Sequence, residues 1–206
     1  MLNFEEQYYS NKVELIVGVD EAGRGPLCGP VVAGACILPK GYKNEHINDS
    51  KQLSAKKREV VFKEIIQNAI AYGIGYVFPD VIDRVNIYEA SKIAMIKAIA
   101  NLKSKYDLVL TDAMPLTLPN MKVIPIIKGD AKCECIASGS IIAKVCRDHY
   151  MDAMAKKYPE YHLDKHKGYP TKEHLELLEK YGPIKGFYRF SYKPVKICLV
   201  KQLKIL

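Results

Sequence analysis

No apolar stretch in this 206-residue chain approaches the roughly 18 residues that a membrane-spanning helix requires. The opening segment "MLNFEEQYYS" carries acids and lacks the apolar core of a secretory leader, so a cytoplasmic protein without a membrane partner is expected. Internal repeats, low-complexity tracts and long Gly/Ser linkers are also missing, which leaves a single domain over residues 1–206 as the expectation. The phosphate-loop pattern G-x-x-x-x-G-K-[ST] does not occur, excluding a nucleotidase of that kind. Six cysteines stand at positions 28, 36, 133, 135, 146 and 198. Their spacings match no zinc knuckle and most lie in apolar segments, so they read as reduced core thiols. What the chain does have is positive charge: a net +8 and a pI near 9.0. That fits either a polyanionic partner or a solvated lysine surface.

The pattern of apolar residues predicts strands over 13–20 and 31–38, joined by a short Gly/Pro segment and therefore antiparallel. Ser54 opens an amphipathic helix to about residue 70, and "AYGIGYVFP" predicts a third strand. Asn86 and Glu89 form a capping-box variant that opens a helix to about residue 103. Two more short strands, "DLVLTD" (107–112) and "KVIPII" (122–127), precede a long helix over 133–157. Thr171 caps a further helix closed by Gly182, and the lysine-rich end (193–204) is expected to be a solvated tail. A meander of three strands followed by two strands alternating with helices predicts an α/β protein with a mixed five-stranded sheet flanked by helices.

Asp20 with Glu21, Asp112 and Asp130 share a position: each stands at or just beyond the end of an apolar strand. A single acid there is ordinary turn chemistry. Three strand ends carrying acids, if adjacent, form a patch of like charge that hard divalent cations would neutralise. Carboxylates without matching His or Cys favour Mg²⁺ or Mn²⁺ over zinc, and a pair of such ions suits phosphodiester hydrolysis. Neighbouring residues of a regular strand face opposite sides, so Asp20 and Glu21 reach one ion only if the chain turns or Glu21 uses its carbonyl. Gly23 and Gly25 permit such a turn and a close approach of backbone to a ligand.

Together "GVDEAGRGPLCGPVV", "NDSKQLS", "KGDAK", "SIIAKVCRD" and "HKGYPT" resemble bacterial ribonuclease HII, a type 2 ribonuclease H, from about residue 14 to 196 and in the family's order. The resemblance implies a ribonuclease H-like fold with a C-terminal helical extension over 158–206 that contacts substrate. It assigns Asp20, Glu21, Asp112 and Asp130 as catalytic metal ligands for Mn²⁺ or Mg²⁺ in a two-metal site. Gly23, Arg24 and Gly25 match the Gly-Arg-Gly motif and Tyr169 the motif tyrosine, groups that in the family recognise the 2′-hydroxyl at an RNA–DNA junction. The implied substrates are RNA–DNA hybrids and duplex DNA carrying single ribonucleotides, cut on the 5′ side to leave 3′-hydroxyl and 5′-phosphate ends. The physiological use implied is removal of misincorporated ribonucleotides and clearance of hybrids, by a monomer. With no substrate-binding domain before residue 14, the HII type is expected rather than HIII. The sequence departs from the family at Cys28, Gln52, "TDAMP", "IASGSIIAK" and "YRFSYKPV", which touches loop packing and none of the acids.

Lys51, in its polar loop, is expected to contact a backbone phosphate. Lys144 and Arg147, three apart on a predicted helix, either line the duplex or pair with Asp148. His162 and His166 have i, i+4 spacing, but the flanking Pro159 and Gly168-Tyr169-Pro170 argue against a regular helix and a metal pair. His166 instead suits positioning of the tyrosine loop, or company for a phosphate. The alternatives are another ribonuclease H-like nuclease of the junction-resolvase type, which the acids alone would permit, and a catalytically silent hybrid binder, which would be expected to lack an acid.

Overall fold

A computed structural model describes residues 3–49 and 53–203. Five strands form one sheet: β1 (Ile16–Ala22), β2 (Val31–Ile37), β3 (Ala71–Val77), β4 (Leu108–Asp112) and β5 (Val123–Ile126), in the order β3-β2-β1-β4-β5. The β1–β2 and β2–β3 pairs are antiparallel, while β4 lies parallel to β1 and β5 parallel to β4. The mixed sheet expected from the sequence is the one observed. The parallel placement matters, because it brings the carboxyl ends of β1 and β4 side by side, where open α/β sheets put their ligands.

The sheet is buried on both faces. Side-chain alternation sends Val17 and Val19 of β1 and Val109 of β4 towards α2 (Pro79–Ala100), where they pack with Ala90, Ala94 and Met95. Ile16, Leu108 and Leu110 turn the other way and meet Ile136 of α3 (Glu134–Lys157). Beside α3 lies α1 (Ala55–Asn68), whose Val61 and Ile65 share a cluster with Ile141 and Val145. The α3 helix sits unusually close to the sheet. A Cβ on Gly18 would fall 2.1 Å from the carbonyl carbon of Cys135, and one on Gly34 would fall 2.3 Å from the carbonyl oxygen of Gly139. Only glycine permits that approach.

Local signals explain most helix ends. Ser54 Oγ accepts from the Lys57 N–H at the start of α1. Thr171 does the same for His174 in α5 (Lys172–Tyr181), and Gly182, with φ of 79°, follows its last turn. Asn86 is a cap, as its spacing predicted: Oδ1 accepts from the Tyr88 and Glu89 N–H groups. It lies, however, at a non-helical break (φ 72°) inside α2, because a further helical stretch from Pro79 precedes it. The first turn of α3 is capped from afar, with Glu5 Oε1 accepting from the N–H groups of Glu134 and Cys135. Glu5 belongs to a 3₁₀ turn (Phe4–Tyr8), so this contact ties the start of the chain to α3.

The C-terminal third builds a second, smaller core. Leu27, Cys28, Met151, Tyr161, Leu178, Phe187 and Tyr188 pack together under the turn that follows β1. The expected solvated tail is instead α6 (Lys193–Leu203). Val195 and Cys198 are buried in this same core, and their i, i+3 spacing within a lysine-rich stretch is what the composition concealed. Between α3 and α5 the chain makes a 3₁₀ turn (Pro159–Tyr161) and a single α-helical turn, α4 (Leu163–His166), the latter bounded by left-handed His162 and Lys167. All six cysteines are free; Cys146 is half-buried and the others are buried. No helix is long and apolar enough to cross a membrane among the described residues.

Candidate active site

Asp20 pairs across the sheet with Gly34 near the end of β1, and Asp112 is the last residue of β4. By alternation both share the sheet face that α3 covers, with Ile16 and Gly18 on one strand and Leu108 and Leu110 on the other. Asp130 comes from a 3₁₀ turn (Gly129–Ala131) that leads from β5 into α3. The turn is fixed to β4, since Asp112 Oδ1 accepts from the Gly129 N–H at 2.7 Å. As a result one carboxylate oxygen from each of Asp20, Asp112 and Asp130 lies within 4.8 Å of the others. Three of the four acids expected to act together therefore do converge.

Glu21 takes a different position. The strand stays regular through Ala22, so Glu21 faces away from Asp20, and its Oε1 pairs with Arg24 at 3.3 Å. Its Oε2 is buried without a hydrogen-bond partner. Glu21 still lines the same cleft of about 380 Å³ as Asp20 and Asp112.

The electrostatics follow from burial and like charge. Burial, chiefly, and then the charges of Glu21 and Asp112 hold the Asp20 carboxyl well above the usual carboxylate range. A hydrogen bond from Ser140 and one from the Glu21 N–H (2.7 Å) pull it partly back. Burial raises Glu21 as well, against the opposing charge of Arg24. Buried oxygens crowded in this way are a poor resting place for bare anions and a good one for a divalent cation. An all-carboxylate donor set fits a hard ion such as Mg²⁺ or Mn²⁺, and Glu21, whose Oε2 has no hydrogen-bond partner, lines the same cleft.

One wall of the cleft is formed by Gly23, Arg24, Gly25 and Tyr169. A Cβ on Gly25 would lie 3.4 Å from Tyr169 Cε1, so the loop and the ring form one surface. Tyr169 is 42% exposed, with its ring open to a ligand. Its loop is held from behind. His166 Nδ1 accepts from the Gly168 N–H, His174 Nδ1 bonds the Tyr169 carbonyl at 2.8 Å, and His174 Nε2 meets the Tyr188 hydroxyl. The two imidazoles stack 4.1 Å apart, and burial lowers His174 to about 4, so both rings are neutral at pH 7.

The opposite wall carries Arg58, Ser140 and Lys144. Lys144 pairs with Asp148 at 2.7 Å, while Arg147 is wholly buried and faces elsewhere, so the two do not act together. Lys51 lies outside the described residues. His162 bonds Glu173 at 2.7 Å and His166 bonds the Tyr161 carbonyl, so the two do not form a metal pair. Sequence reading did not single out Arg58, Ser140 or His174. Ser140 reaches Asp20 across a long sequence separation that no local pattern marks, His174 reads as one more polar residue in the first turn of its helix, and Arg58 reads as one more helix-surface cation.

A family model described as ribonuclease HII matches residues 17–195. Ribonuclease HII of Bacillus subtilis is 51% identical over 196 residues, which are 95% of this chain and 76% of that protein. Ribonuclease HII of Lactobacillus johnsonii is 48% identical over 195 residues, 94% of this chain and 76% of that one. Among solved structures, the ribonuclease H2 from Pyrococcus horikoshii OT3 matches with a TM-score of 0.79 at 28% identity, covering 92% of this chain and 99% of that one.

Proposed function

We propose, for a chain that belongs to the ribonuclease HII family and is a ribonuclease H endonuclease with a divalent-metal site, that it cuts on the 5′ side of a ribonucleotide. Its substrates are the RNA strand of hybrids and single ribonucleotides embedded in duplex DNA, and its products carry 3′-hydroxyl and 5′-phosphate ends. The observation that carries this reading is the adjacency of two unlike surfaces. Converging carboxylates of Asp20, Asp112 and Asp130 stand beside a glycine loop and an open tyrosine ring.

In this reading Asp20, Asp112 and Asp130 hold Mg²⁺ or Mn²⁺, with Glu21 completing the set through its carbonyl or its free Oε2. Bound there, the ions supply activation of water and neutralise charge on the phosphate. The protein's own contribution is placement. Asp112, anchored by the Gly129 N–H, lines the cleft. Gly23, Arg24 and Gly25 present backbone, with no bulky side chain at either glycine, to the shallow minor groove where a 2′-hydroxyl lies. Tyr169 stacks on the neighbouring sugar, and a deoxyribose offers the loop nothing to bond. Lys144 and Arg58 give the opposite wall the positive charge that a phosphate backbone needs. Lys51 adds a phosphate contact, and the protein acts as a cytoplasmic monomer with 158–206 as its substrate-contacting extension.

The test is cleavage of an end-labelled DNA duplex with one ribonucleotide, beside an all-DNA duplex, in Mg²⁺, in Mn²⁺ and in chelator. A metal-dependent nick immediately 5′ of the ribonucleotide, leaving a ligatable 3′-hydroxyl, is expected, with the all-DNA duplex intact. Cutting of the all-DNA duplex at a similar rate would favour a resolvase-type nuclease instead.

A further inference from the structure

Two arginines, Arg147 of α3 and Arg189 of the loop before α6, are completely buried. Almost all their hydrogen bonds go to main-chain carbonyls. Arg189 bonds the carbonyls of Gly23 (2.7 Å), Arg24 (2.9 Å) and Gly29 (2.9 and 3.1 Å), with one further bond to the Tyr192 hydroxyl. Arg147 bonds the carbonyls of Cys28 (3.2 Å), Pro30 (3.1 Å) and Lys167 (3.1 Å). The Tyr192 hydroxyl itself donates to the Arg24 carbonyl at 2.6 Å. These carbonyls belong to the loop beside the acids and to the residue two before Tyr169.

We propose that Arg147 and Arg189 are positioning residues for ribonucleotide selection, fixing the Gly23–Gly25 backbone and Tyr169 as one surface of set shape. This rests on reading that loop and Tyr169 as the parts that select the ribonucleotide. Peptide geometry sets the direction of the loop's amides. In a trans peptide the carbonyl of one residue and the N–H of the next point in opposite directions, and the chain has no cis peptide bond. Drawing the Gly23 and Arg24 carbonyls inward onto Arg189 therefore turns the Arg24 and Gly25 N–H groups outward, towards the cleft. A guanidinium does this better than an ammonium, because its rigid planar fork serves several acceptors at once.

Arg147 sets the second coordinate. It joins the strand entering β2 to the tyrosine loop through one planar group, and its Cζ lies 6.0 Å from the Tyr169 ring centroid. The gap between the loop amides and the ring is thus set by Arg189 and Arg147 together. Glycine at position 23 follows from the same arrangement. A Cβ there would fall 2.1 Å from Arg147 Nε, and the residue's φ is 97°.

Steady-state kinetics of the full chain separate positioning from fold maintenance. The substrate is a DNA duplex with one ribonucleotide, and the all-DNA duplex of the same sequence serves as competitive inhibitor. Arg189→Lys and Arg147→Lys keep the charge and lose the fork. Each is expected to raise KM for the ribonucleotide duplex at least about tenfold, the scale of one or two lost charge-assisted hydrogen bonds. Ki of the all-DNA duplex and the Mg²⁺ concentration for half-maximal rate should stay within about twofold, since phosphate and metal contacts are untouched. Gly23→Ala, which displaces the Arg147 guanidinium without removing it, is the second variant and should raise KM in the same way. An unchanged ratio of KM to Ki in these variants, even with lower kcat or thermal stability, would overturn the proposal and leave the arginines as fold supports. A wild-type chain that cuts the all-DNA duplex as readily as the ribonucleotide duplex would overturn the ribonucleotide reading itself, and this inference with it.

Discussion

Replacing Asp112 by asparagine should make the metal-free protein more stable while abolishing cleavage. The oxygens of Asp20, Asp112 and Asp130 lie within 4.8 Å of one another, and at that spacing two full charges repel by about 3.5 kcal/mol at an effective dielectric constant near 20. Burial and the neighbouring charges of Glu21 and Asp112 already hold the Asp20 carboxyl well above its usual range, which disfavours its charged form. A net gain of roughly 1–3 kcal/mol is therefore expected for Asp112→Asn without metal, a rise of several degrees in thermal midpoint for a chain of this size. Asparagine keeps an oxygen to accept the Gly129 N–H, so the turn beneath it stays anchored. The sign with pH is also fixed. A carboxyl whose pKa is raised on folding contributes stability below its unfolded value that is lost as pH rises through its folded value. The advantage of the variant should thus grow with pH above about 4. Thermal unfolding in chelator, and then in saturating Mg²⁺ or Mn²⁺, measures both effects, and wild type should gain the more from metal. A variant less stable than wild type in chelator, or a wild type that metal does not stabilise, would refute the reasoning.

Three other outcomes are expected. His174 is lowered to about 4 from an unfolded value near 6.5, so stability should be intact above pH 6.5 and fall by at most about 3 kcal/mol on the way to pH 4; comparing the pH dependence of unfolding with that of His174→Gln isolates the effect, which the variant should lack. Tyr169→Ala should leave the fold and all-DNA affinity intact while lowering kcat/KM for a single embedded ribonucleotide about tenfold, read from cleavage rates, as expected for loss of one stacked ring. Gly18→Ala should cost about 3 kcal/mol or more, because its Cβ would meet backbone atoms of Cys135 and Ile136 at 2.1–2.4 Å and α3 must lift from β1; denaturant midpoints would show it.

The placement of the acids was legible because strand ends are written in the chain as apolar runs that stop. "IVGVD" and "DLVLTD" end on Asp20 and Asp112, and parallel pairing makes those ends neighbours. Alternation also anticipated that Asp20 and Glu21 would part company, as they do. Caps at Ser54, Asn86 and Thr171 were legible for the same local reason. What escaped was set by distance along the chain. Glu5 caps a helix that starts at residue 134, and α6 looked like a solvated tail because its buried side is marked by Val195 and Cys198 within a run of lysines. Arg147 reads as half of a surface pair until the turn after β1 is folded over it, since a buried guanidinium satisfied by carbonyls leaves no signature in neighbouring residues.

The most direct measurement of the central claim is a crystal structure of the chain with Mn²⁺ and a duplex whose single ribonucleotide follows a non-hydrolysable linkage, with manganese located by anomalous scattering. The account predicts manganese among the carboxylates of Asp20, Asp112 and Asp130, the ribose 2′-hydroxyl against the backbone of Gly23–Gly25, and the sugar beside it on Tyr169. Manganese bound away from those carboxylates, or a ribose turned away from that loop, would contradict it.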